Sequence, residues 1–377
     1  MLIAGEASGD MLAAELVGAL RERLPEAVFF GAGGSRMSAV GVELAFDLTQ
    51  HAMVGLPTPG KYFKLRELGQ QLLALAIKRQ PDFLIGVDYG GFNLRFGHSL
   101  REYVRGNPFS TWKPKIVQFV SPQVWASRPG RANLLAADYD LLLSIFPFEK
   151  EWYAQRVPQL RVEFVGHPMI GRFAGSEPSL ARREFPGVQS PPQVLLLPGS
   201  RQSELRQHLP AMLGAMRLIR EKLPDVKIKM VLPNQILARQ ARAQDASLEI
   251  QIGELPWALS AADVAIASTG TVTMECAFFG VPTVTIYKKP LLGLAFALGI
   301  IKVRWFTMPN LLAGDEVYPE FLQKRLTAGK VADATLELLQ NEERRGRIKM
   351  QLAAVIASLG LPGAPRRAAE AILSLGK

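Results

Sequence analysis

The sequence predicts an α/β protein made of two Rossmann-like, doubly wound domains facing each other across a cleft. Three observations carry that expectation. The chain has 377 residues, too many for one ordinary α/β core and comfortable for two. Short β-type apolar runs alternate with helix-period segments along nearly the whole length, a pattern of parallel sheets covered on both faces. The runs fall into two series, separated by the weakly patterned stretch Met169 to Pro192. That stretch holds Gly171, Gly175, Pro178, Pro186, Gly187, Pro191 and Pro192, a density of turn formers expected of an interdomain connection.

The first series contains strands at Val28–Phe30, Phe83–Val87, Ile116–Val120, Leu141–Ile145 and Val162–Val165, with helices at Met11–Leu24 and Lys64–Lys78. Met1–Ala4 makes a stubby first strand, as it would if further residues preceded it. The second series has strands at Val194–Leu197, Ile228–Leu232, Val264–Ala267 and Thr283–Ile286, with helices at Leu209–Leu223, Glu275–Phe279 and Ala332–Leu339. The implied domains are residues 1–168 and 193–350, joined by 169–192, with a helical segment at 351–377. In such sheets ligands bind beyond the carboxyl ends of the strands.

Composition narrows the function. Hydrophobic residues make up 48% and charged residues 21%, which is globular rather than disordered. The single cysteine, Cys276, excludes an internal disulfide, and with four histidines it argues against a structural zinc site. A net charge of +10 favours a polyanionic partner. No interleaved basic and aromatic stripe suggests nucleic acid, so lipid and phosphate rank first. The apolar stretch Met1–Ala4 is too short for a signal peptide. The run Leu291–Ile301 is about half of the roughly 20 residues that span a bilayer, so a peripheral protein is expected rather than an integral one.

Four strings carry chemistry. Leu195-Leu196-Leu197-Pro198-Gly199-Ser200-Arg201, followed by Glu204, reads as a strand ending in a phosphate-binding turn. Gly199 allows close approach, Ser200 caps the next turn, and Arg201 grips a diphosphate; a plain glycine turn with a salt-bridged arginine is the alternative. Ser268-Thr269-Gly270-Thr271, with Glu275 one helical turn on, suits a phosphate and a ribose, or else is ordinary capping. Gly5-Glu6-Ala7-Ser8-Gly9-Asp10 forms a tight strand-to-helix turn that is not a dinucleotide fingerprint. In Gly86-Val87-Asp88-Tyr89-Gly90-Gly91, Asp88 stands at the end of a buried strand, placed for a general base or for an Asx-type turn.

Other features are set aside or left open. Asp138-Tyr139-Asp140 precedes an apolar run instead of ending one, so it is read as a loop feeding a strand and not as a metal clamp. His51, His98, His167 and His208 show no i, i+4 pairing and are read as loop or surface residues; no metal and no cofactor are expected. From Met53 to Lys78, the apolar Leu56, Tyr62, Phe63 and Leu65 lie among Lys61, Lys64 and Arg66. This suits an anionic bilayer surface or an amphipathic helix packed on the sheet.

Together the strings resemble the lipid-A-disaccharide synthases. Besides those quoted, the resemblance rests on Phe92-Asn93, Ser121-Pro122-Gln123-Val124-Trp125-Ala126, Phe146-Pro147-Phe148-Glu149-Lys150, Gly166-His167, Glu275-Cys276 and Pro309-Asn310-Leu311-Leu312-Ala313-Gly314. It departs from the family's usual pattern at Gly91 and Ser127. The resemblance implies a metal-independent, inverting hexosyltransferase of the GT-B type. Its donor would be UDP-2,3-diacylglucosamine and its acceptor 2,3-diacylglucosamine 1-phosphate, giving the β-1,6 disaccharide of lipid A synthesis and UDP. It implies a peripheral place on the cytoplasmic side of a Gram-negative inner membrane. It also implies dimers that exchange C-terminal parts, or a segment 351–377 packed back on the first domain.

The roles then implied are Asp88 as base and Arg201 for the leaving group. Gly199, Ser200, Gly270, Thr271 and Glu275 would serve the donor. Glu6, Ser8, Gly9, Asp10, Ser121, Trp125 and Asn310 would shape the acceptor side, and Leu56, Tyr62, Phe63 and Leu65 would meet the membrane. A UDP-sugar 2-epimerase and an inactive acyl-sugar-binding relative are the alternatives.

Overall fold

The structure is a computed structural model and describes residues 1–51, 59–173, 191–288 and 303–376. Leu56, the apolar run Leu291–Ile301 and most of the 169–192 connection lie outside the described residues. The chain forms two compact units. One holds Met1–Arg172 and the C-terminal residues from Leu359; the other holds Phe173 and the described residues up to Ser358.

In the first unit the elements follow as β1 (Leu2–Ala4), α1 (Ala7–Arg23), β2 (Phe30–Gly33), α2 (Ser35–Ala39), β3 (Glu43–Asp47), α3 (Pro59–Arg79), β4 (Phe83–Val87) and α4 (Gly90–Gly106). Then come β5 (Lys115–Phe119), α5 (Val124–Ser127), α6 (Ala132–Asp138), β6 (Leu141–Ser144), α7 (Pro147–Ala154), β7 (Val162–Phe164) and α8 (Pro168–Arg172). The strands pair in parallel in the order β3-β2-β1-β4-β5-β6-β7. A strand covered on both faces must be apolar throughout, and β6 is buried at every position.

The second unit runs β8 (Gln193–Leu197), α9 (Gln202–Lys222), β9 (Lys227–Leu232), α10 (Gln235–Arg242), β10 (Glu249–Ile252), α11 (Leu255–Ala261), β11 (Val264–Ser268) and α12 (Thr271–Phe278). It continues with β12 (Thr283–Tyr287), α13 (Met308–Ala313), β13 (Glu320–Leu322), α14 (Ala328–Gln340) and α15 (Glu342–Ser358). Its parallel sheet has the order β10-β9-β8-β11-β12-β13. Leu205, Leu209, Met212, Met216 and Ile219 of α9 are buried. Each such side chain contributes roughly 1.5–3 kcal/mol by leaving water.

After α15 the chain returns to the first unit, where α16 (Ala364–Leu373) packs against α1. Arg367 Nε donates to the Val165 carbonyl at 2.8 Å, and Arg366 pairs with Glu22 at 3.2 Å. The return begins at Leu359 rather than 351 because α15 continues unbroken to Ser358. Likewise α8 stays with the first unit, so its boundary falls four residues beyond 168.

Several boundaries differ from the sequence expectation. The second strand is Phe30–Gly33 rather than Val28–Phe30, because two glycines in Phe30-Gly31-Ala32-Gly33 hide a buried strand. The edge strands β3 and β10 and the short β13 carry too few apolar residues to be read. Helix α1 starts at Ala7, so Ser8, Gly9 and Asp10 lie in its first turn. Helix α9 starts at Gln202, well before Leu209, and tolerates Pro210 inside it.

Candidate active site

In each sheet the strand order reverses at one place, between β1 and β4 in the first and between β8 and β11 in the second. Crevices beyond the carboxyl ends of strands at such a reversal are where open α/β sheets bind ligands. The segments after these four strands, each a turn running into or up to the start of the next helix, are Gly5–Asp10, Asp88–Gly91, Pro198–Arg201 and Thr269–Thr271, within the four strings that chemistry singled out.

Asp88 and Tyr89 follow β4 with φ of 51° and 46°. Left-handed backbone at non-glycine residues costs of order 1–3 kcal/mol each and persists only where neighbours hold it. Here the Asp88 N–H donates to the Phe119 carbonyl at 2.8 Å. The Asp88 carbonyl accepts from Asn93 Nδ2 at 2.8 Å and from Gln118 Nε2 at 2.9 Å. The Tyr89 ring lies so close to Gly5 that a Cβ there would meet it at 2.1 Å, which is why residue 5 must be glycine. The result is a half-buried carboxylate whose Oδ2 accepts from the Ser8 hydroxyl at 3.2 Å. Burial pushes the Asp88 carboxyl above its ordinary range, opposed by the Tyr89 N–H and the Ser8 hydroxyl. A carboxylate of raised basicity on a fixed backbone is what a general base needs.

The neighbouring turn after β5 is strained too. Val120, a β-branched residue, has φ of 68°, and Gln118 Nε2 donates to its carbonyl at 3.2 Å. Beyond it, Ser121 and Trp125 are buried. Ser121 Oγ lies 3.1 Å from the Tyr153 hydroxyl. Trp125 Nε1 donates to Glu149 Oε1 at 3.0 Å. Burial raises the Glu149 carboxyl to about 7, opposed by Trp125 and Ser121.

Asp10 is likewise spent on the fold. It is buried and accepts from the amides of Gly34, Arg36 and Met37 at 2.7, 2.9 and 3.1 Å, capping α2. Gly9 beside it is buried in α1, and Glu6 is the half-buried N-cap residue, with no capping bond from its side chain.

In the second unit Gly199 has φ of +116°, and a Cβ on it would meet Glu204 Oε2 at 2.4 Å. Glu204 accepts from the Ser200 amide at 2.9 Å and pairs with Arg201 at 2.8 Å. Ser200 therefore does not cap α9: Arg201 is the N-cap residue, and Glu204, in the first turn, takes the Ser200 amide. The Arg201 guanidinium stays about half exposed, at 46%. At the second turn Gly270 is the N-cap of α12 with no side-chain cap. Thr271 is exposed, Glu275 half-buried, and Thr273 Oγ1 turns back to the Gly270 carbonyl at 2.7 Å. Ser/Thr capping of the kind the sequence allowed is absent, which leaves the helix start open to an anion.

Asn310 belongs to the core. It is fully buried, its Nδ2 donates to the Tyr318 carbonyl and to Glu320 Oε1, and its Oδ1 accepts from the Tyr318 amide at 2.7 Å. Glu320 also accepts from the Thr307 amide and hydroxyl, both at 2.8 Å.

The histidines correct the loop-or-surface reading at one position, His208, while His167 stands in the loop before α8. His208 is buried on α9, bridging the Pro198 carbonyl at 2.8 Å and the Lys288 amide at 3.2 Å. Burial lowers His167 to about 4. Asp138 and Asp140 are engaged by His98 and Arg101, at 2.8 and 2.6 Å. Among the described residues no cluster of three or more His, Cys, Asp or Glu could hold a metal.

Helix α3 divides its apolar residues. Leu68, Leu72 and Ala76 enter the core, and Leu65 packs against it instead of facing outward. Tyr62 and Phe63 stay exposed, edge to face at 6.1 Å. Among the described residues no helix is long and apolar enough to cross a membrane.

A family model described as lipid-A-disaccharide synthetase matches residues 1–371. Lipid-A-disaccharide synthase from Myxococcus xanthus is 32% identical, covering 100% of this chain and 97% of that one. The enzyme of the same name from Solibacter usitatus is 35% identical, covering 99% and 96%. The chain belongs to the lipid-A-disaccharide synthase family. Membership makes it a glycosyltransferase of lipid A biosynthesis.

Solved structures extend the likeness to the fold alone. UDP-GlcNAc 2-epimerase from Neisseria meningitidis, bound to UDP-GlcNAc, superposes with a TM-score of 0.59 at 12% identity, covering 99% and 98% of the two chains. MurG from Acinetobacter baumannii gives 0.57 at 14%, covering 99% and 98%. Coverage this complete of both chains shows that this chain shares its α/β fold with them.

Two residues that support these turns escape a reading by motif. Gln118 had a signal: one amide inside the buried run Ile116–Val120. His208 had none, since a polar residue in an amphipathic helix is ordinarily solvated.

Proposed function

We propose that the chain is an inverting hexosyltransferase that joins UDP-2,3-diacylglucosamine to 2,3-diacylglucosamine 1-phosphate, releasing the β-1,6 disaccharide 1-phosphate and UDP. The observation that carries this reading is Asp88: a carboxylate of raised basicity on a clamped left-handed turn, bonded to Ser8, at the sheet's strand-order reversal. The acceptor's 6-hydroxyl oxygen attacks the donor's anomeric carbon opposite the nucleotide. The new C–O bond forms as the bond to the UDP oxygen breaks, and the hydroxyl proton passes to Asp88. In-line attack inverts the anomeric centre.

Negative charge gathers on the departing diphosphate, and preorganised donors aimed at such charge are usually the largest catalytic term. Arg201 is assigned that role, with the uncapped start of α12 at Gly270 and Thr271, and Ser200 and Gly199 shape the same turn. Glu275 holds the ribose hydroxyls. No metal is assigned a part, because these donors supply the charge. Tyr62 and Phe63, exposed on α3 among cations, support a peripheral place on an anionic membrane on the cytoplasmic side.

Purified protein given both acyl substrates in excess EDTA should yield UDP and a disaccharide lipid in equal amounts. Asp88→Asn should lose transfer by about 10²-fold or more, the usual contribution of a general base, while nucleotide affinity stays near the parent's. Loss of nucleotide affinity along with rate would make Asp88 a binding or structural residue. UDP-sugar interconversion without an acyl acceptor would favour the epimerase reading instead.

A further inference from the structure

Beside the Asp88 turn, the first unit holds a cavity of about 630 Å³ between α3 and α4. Its floor is apolar, with Leu65, Leu73, Phe92 and Phe96, and Tyr89 joins it to the turn that carries Asp88. Its rim carries four guanidinium groups, Arg66, Arg95, Arg128 and Arg131. No aspartate or glutamate stands among its described lining residues. Of the two acids next to lining residues in sequence, Glu67 is taken by Lys64 at 3.0 Å and Asp88 accepts from the Ser8 hydroxyl at 3.2 Å.

Like charges gathered without a counterion repel one another, and a ligand anion relieves that repulsion. The arrangement is more than a solvated basic surface. Arg131 is only half exposed. Burial, and then the nearness of Arg128 and Arg95, holds its guanidinium below the usual range. Arg95 lies over the Tyr62 ring, 5.5 Å from its centroid. That contact fixes Arg95 at the cavity mouth and gives Tyr62 a task besides meeting lipid. Planar guanidinium forks match the oxygens of a phosphate, and a volume of this size matches a small amphiphilic ligand.

We propose that this cavity is the acceptor subsite, with the arginine rim taking a phosphomonoester and the apolar floor taking an acyl chain of the same molecule. This rests on the transfer reading above, in which one substrate carries both groups. The donor's diphosphate is esterified at both ends and offers no terminal phosphate for the rim. Arg131 and Arg128 are the principal phosphate ligands, and Arg95 and Arg66 close the rim.

The test compares short-chain 2,3-diacylglucosamine 1-phosphate with the same sugar lacking its phosphate. Arg128→Ala and Arg131→Ala should each raise KM for the phosphorylated acceptor by roughly 10- to 100-fold, the range for hydrogen bonds to charged groups. KM for the UDP donor should not move, and the dephosphorylated acceptor should not distinguish variant from parent. Gly69→Leu, whose new side chain would grow toward the Phe92 ring (3.8 Å from its Cβ), should weaken long-chain acceptors more than short ones.

Equal losses with both acceptors, or a rise in donor KM, would overturn the assignment. An arm with phosphatidylglycerol vesicles separates the other source of phosphate. If Arg131→Ala loses vesicle binding but keeps the soluble acceptor's affinity, the rim reads lipid headgroups and the proposal fails. Equilibrium binding of the two acceptors, measured without donor, decides the subsite even if no transfer is seen, so failure of the transfer reading is distinguishable from failure of this one.

Discussion

Glu149→Gln should change how stability depends on pH. Glu149 is buried, its Oε1 accepting from Trp125 Nε1 at 3.0 Å and its Oε2 from the Phe146 amide at 3.4 Å. Burial raises its carboxyl from 4.5 to about 7. At about 1.4 kcal/mol per tenfold change in proton affinity, that rise amounts to about 3 kcal/mol. The folded state binds the proton more tightly than the unfolded chain. Stability from this group is therefore full below about pH 4.5, falls as pH rises to about 7, and stays lost above that. Glutamine mimics the protonated acid and cannot titrate. Its amide places a donor near the Phe146 N–H, a cost that does not vary with pH.

The quantity to follow is thus the difference in unfolding free energy between variant and parent, from urea titrations between pH 4.5 and 8.5. Trp125 fluorescence is a suitable signal because its indole touches the altered group. The difference should swing toward the variant by about 3 kcal/mol across that window. A difference that stays flat would refute the reasoning and mean that Glu149 binds its proton no more tightly in the folded protein than in the unfolded chain.

Three further outcomes are expected. Ser8→Ala removes a donor to the Asp88 carboxylate, so its carboxyl should rise further and the acid limb of kcat/KM should move to higher pH; an unmoved limb would separate Ser8 from the base. Arg201→Ala should lower kcat by about 10²-fold or more, the usual cost of deleting one preorganised donor, and near-normal turnover would remove it from the leaving-group role. The double substitution Tyr62→Ser and Phe63→Ser should weaken sedimentation with anionic vesicles at low salt, since exposed apolar side chains and cations add to reversible binding; parent-like binding would move the membrane contact elsewhere.

The four turns at the strand-order reversals were legible because each follows a short apolar run and holds a glycine, a change of pattern visible over a few positions. Strand order was not legible. Alternation of strands and helices says that the sheets are parallel, but not that β1 lies beside β4, and this alone brings Ser8 to Asp88 over 80 positions of sequence. The supporting residues were harder still. A polar residue carries no mark of whether its partner is water or a buried group, so His208 read as surface until the fold enclosed it, and nothing singled out the burial of Glu149 and Glu320.

The same ambiguity bears on the three motifs assigned to the acceptor. Short strings that resemble a family mix residues that meet a ligand with residues that hold the turn, and the two kinds look alike in sequence. Hydrogen bonding separates them. Asp10 and Asn310 are buried, and their polar atoms are committed to backbone groups and a buried carboxylate; altering them should cost stability first and rate only through it. Arg201 keeps its guanidinium half in solvent beside an uncommon glycine turn, and Asp88 is held by its backbone while its carboxylate reaches only partway into the protein. A carboxylate fixed at its backbone and only partly enclosed is positioned for chemistry, which ranks Asp88 above the other residues of its string.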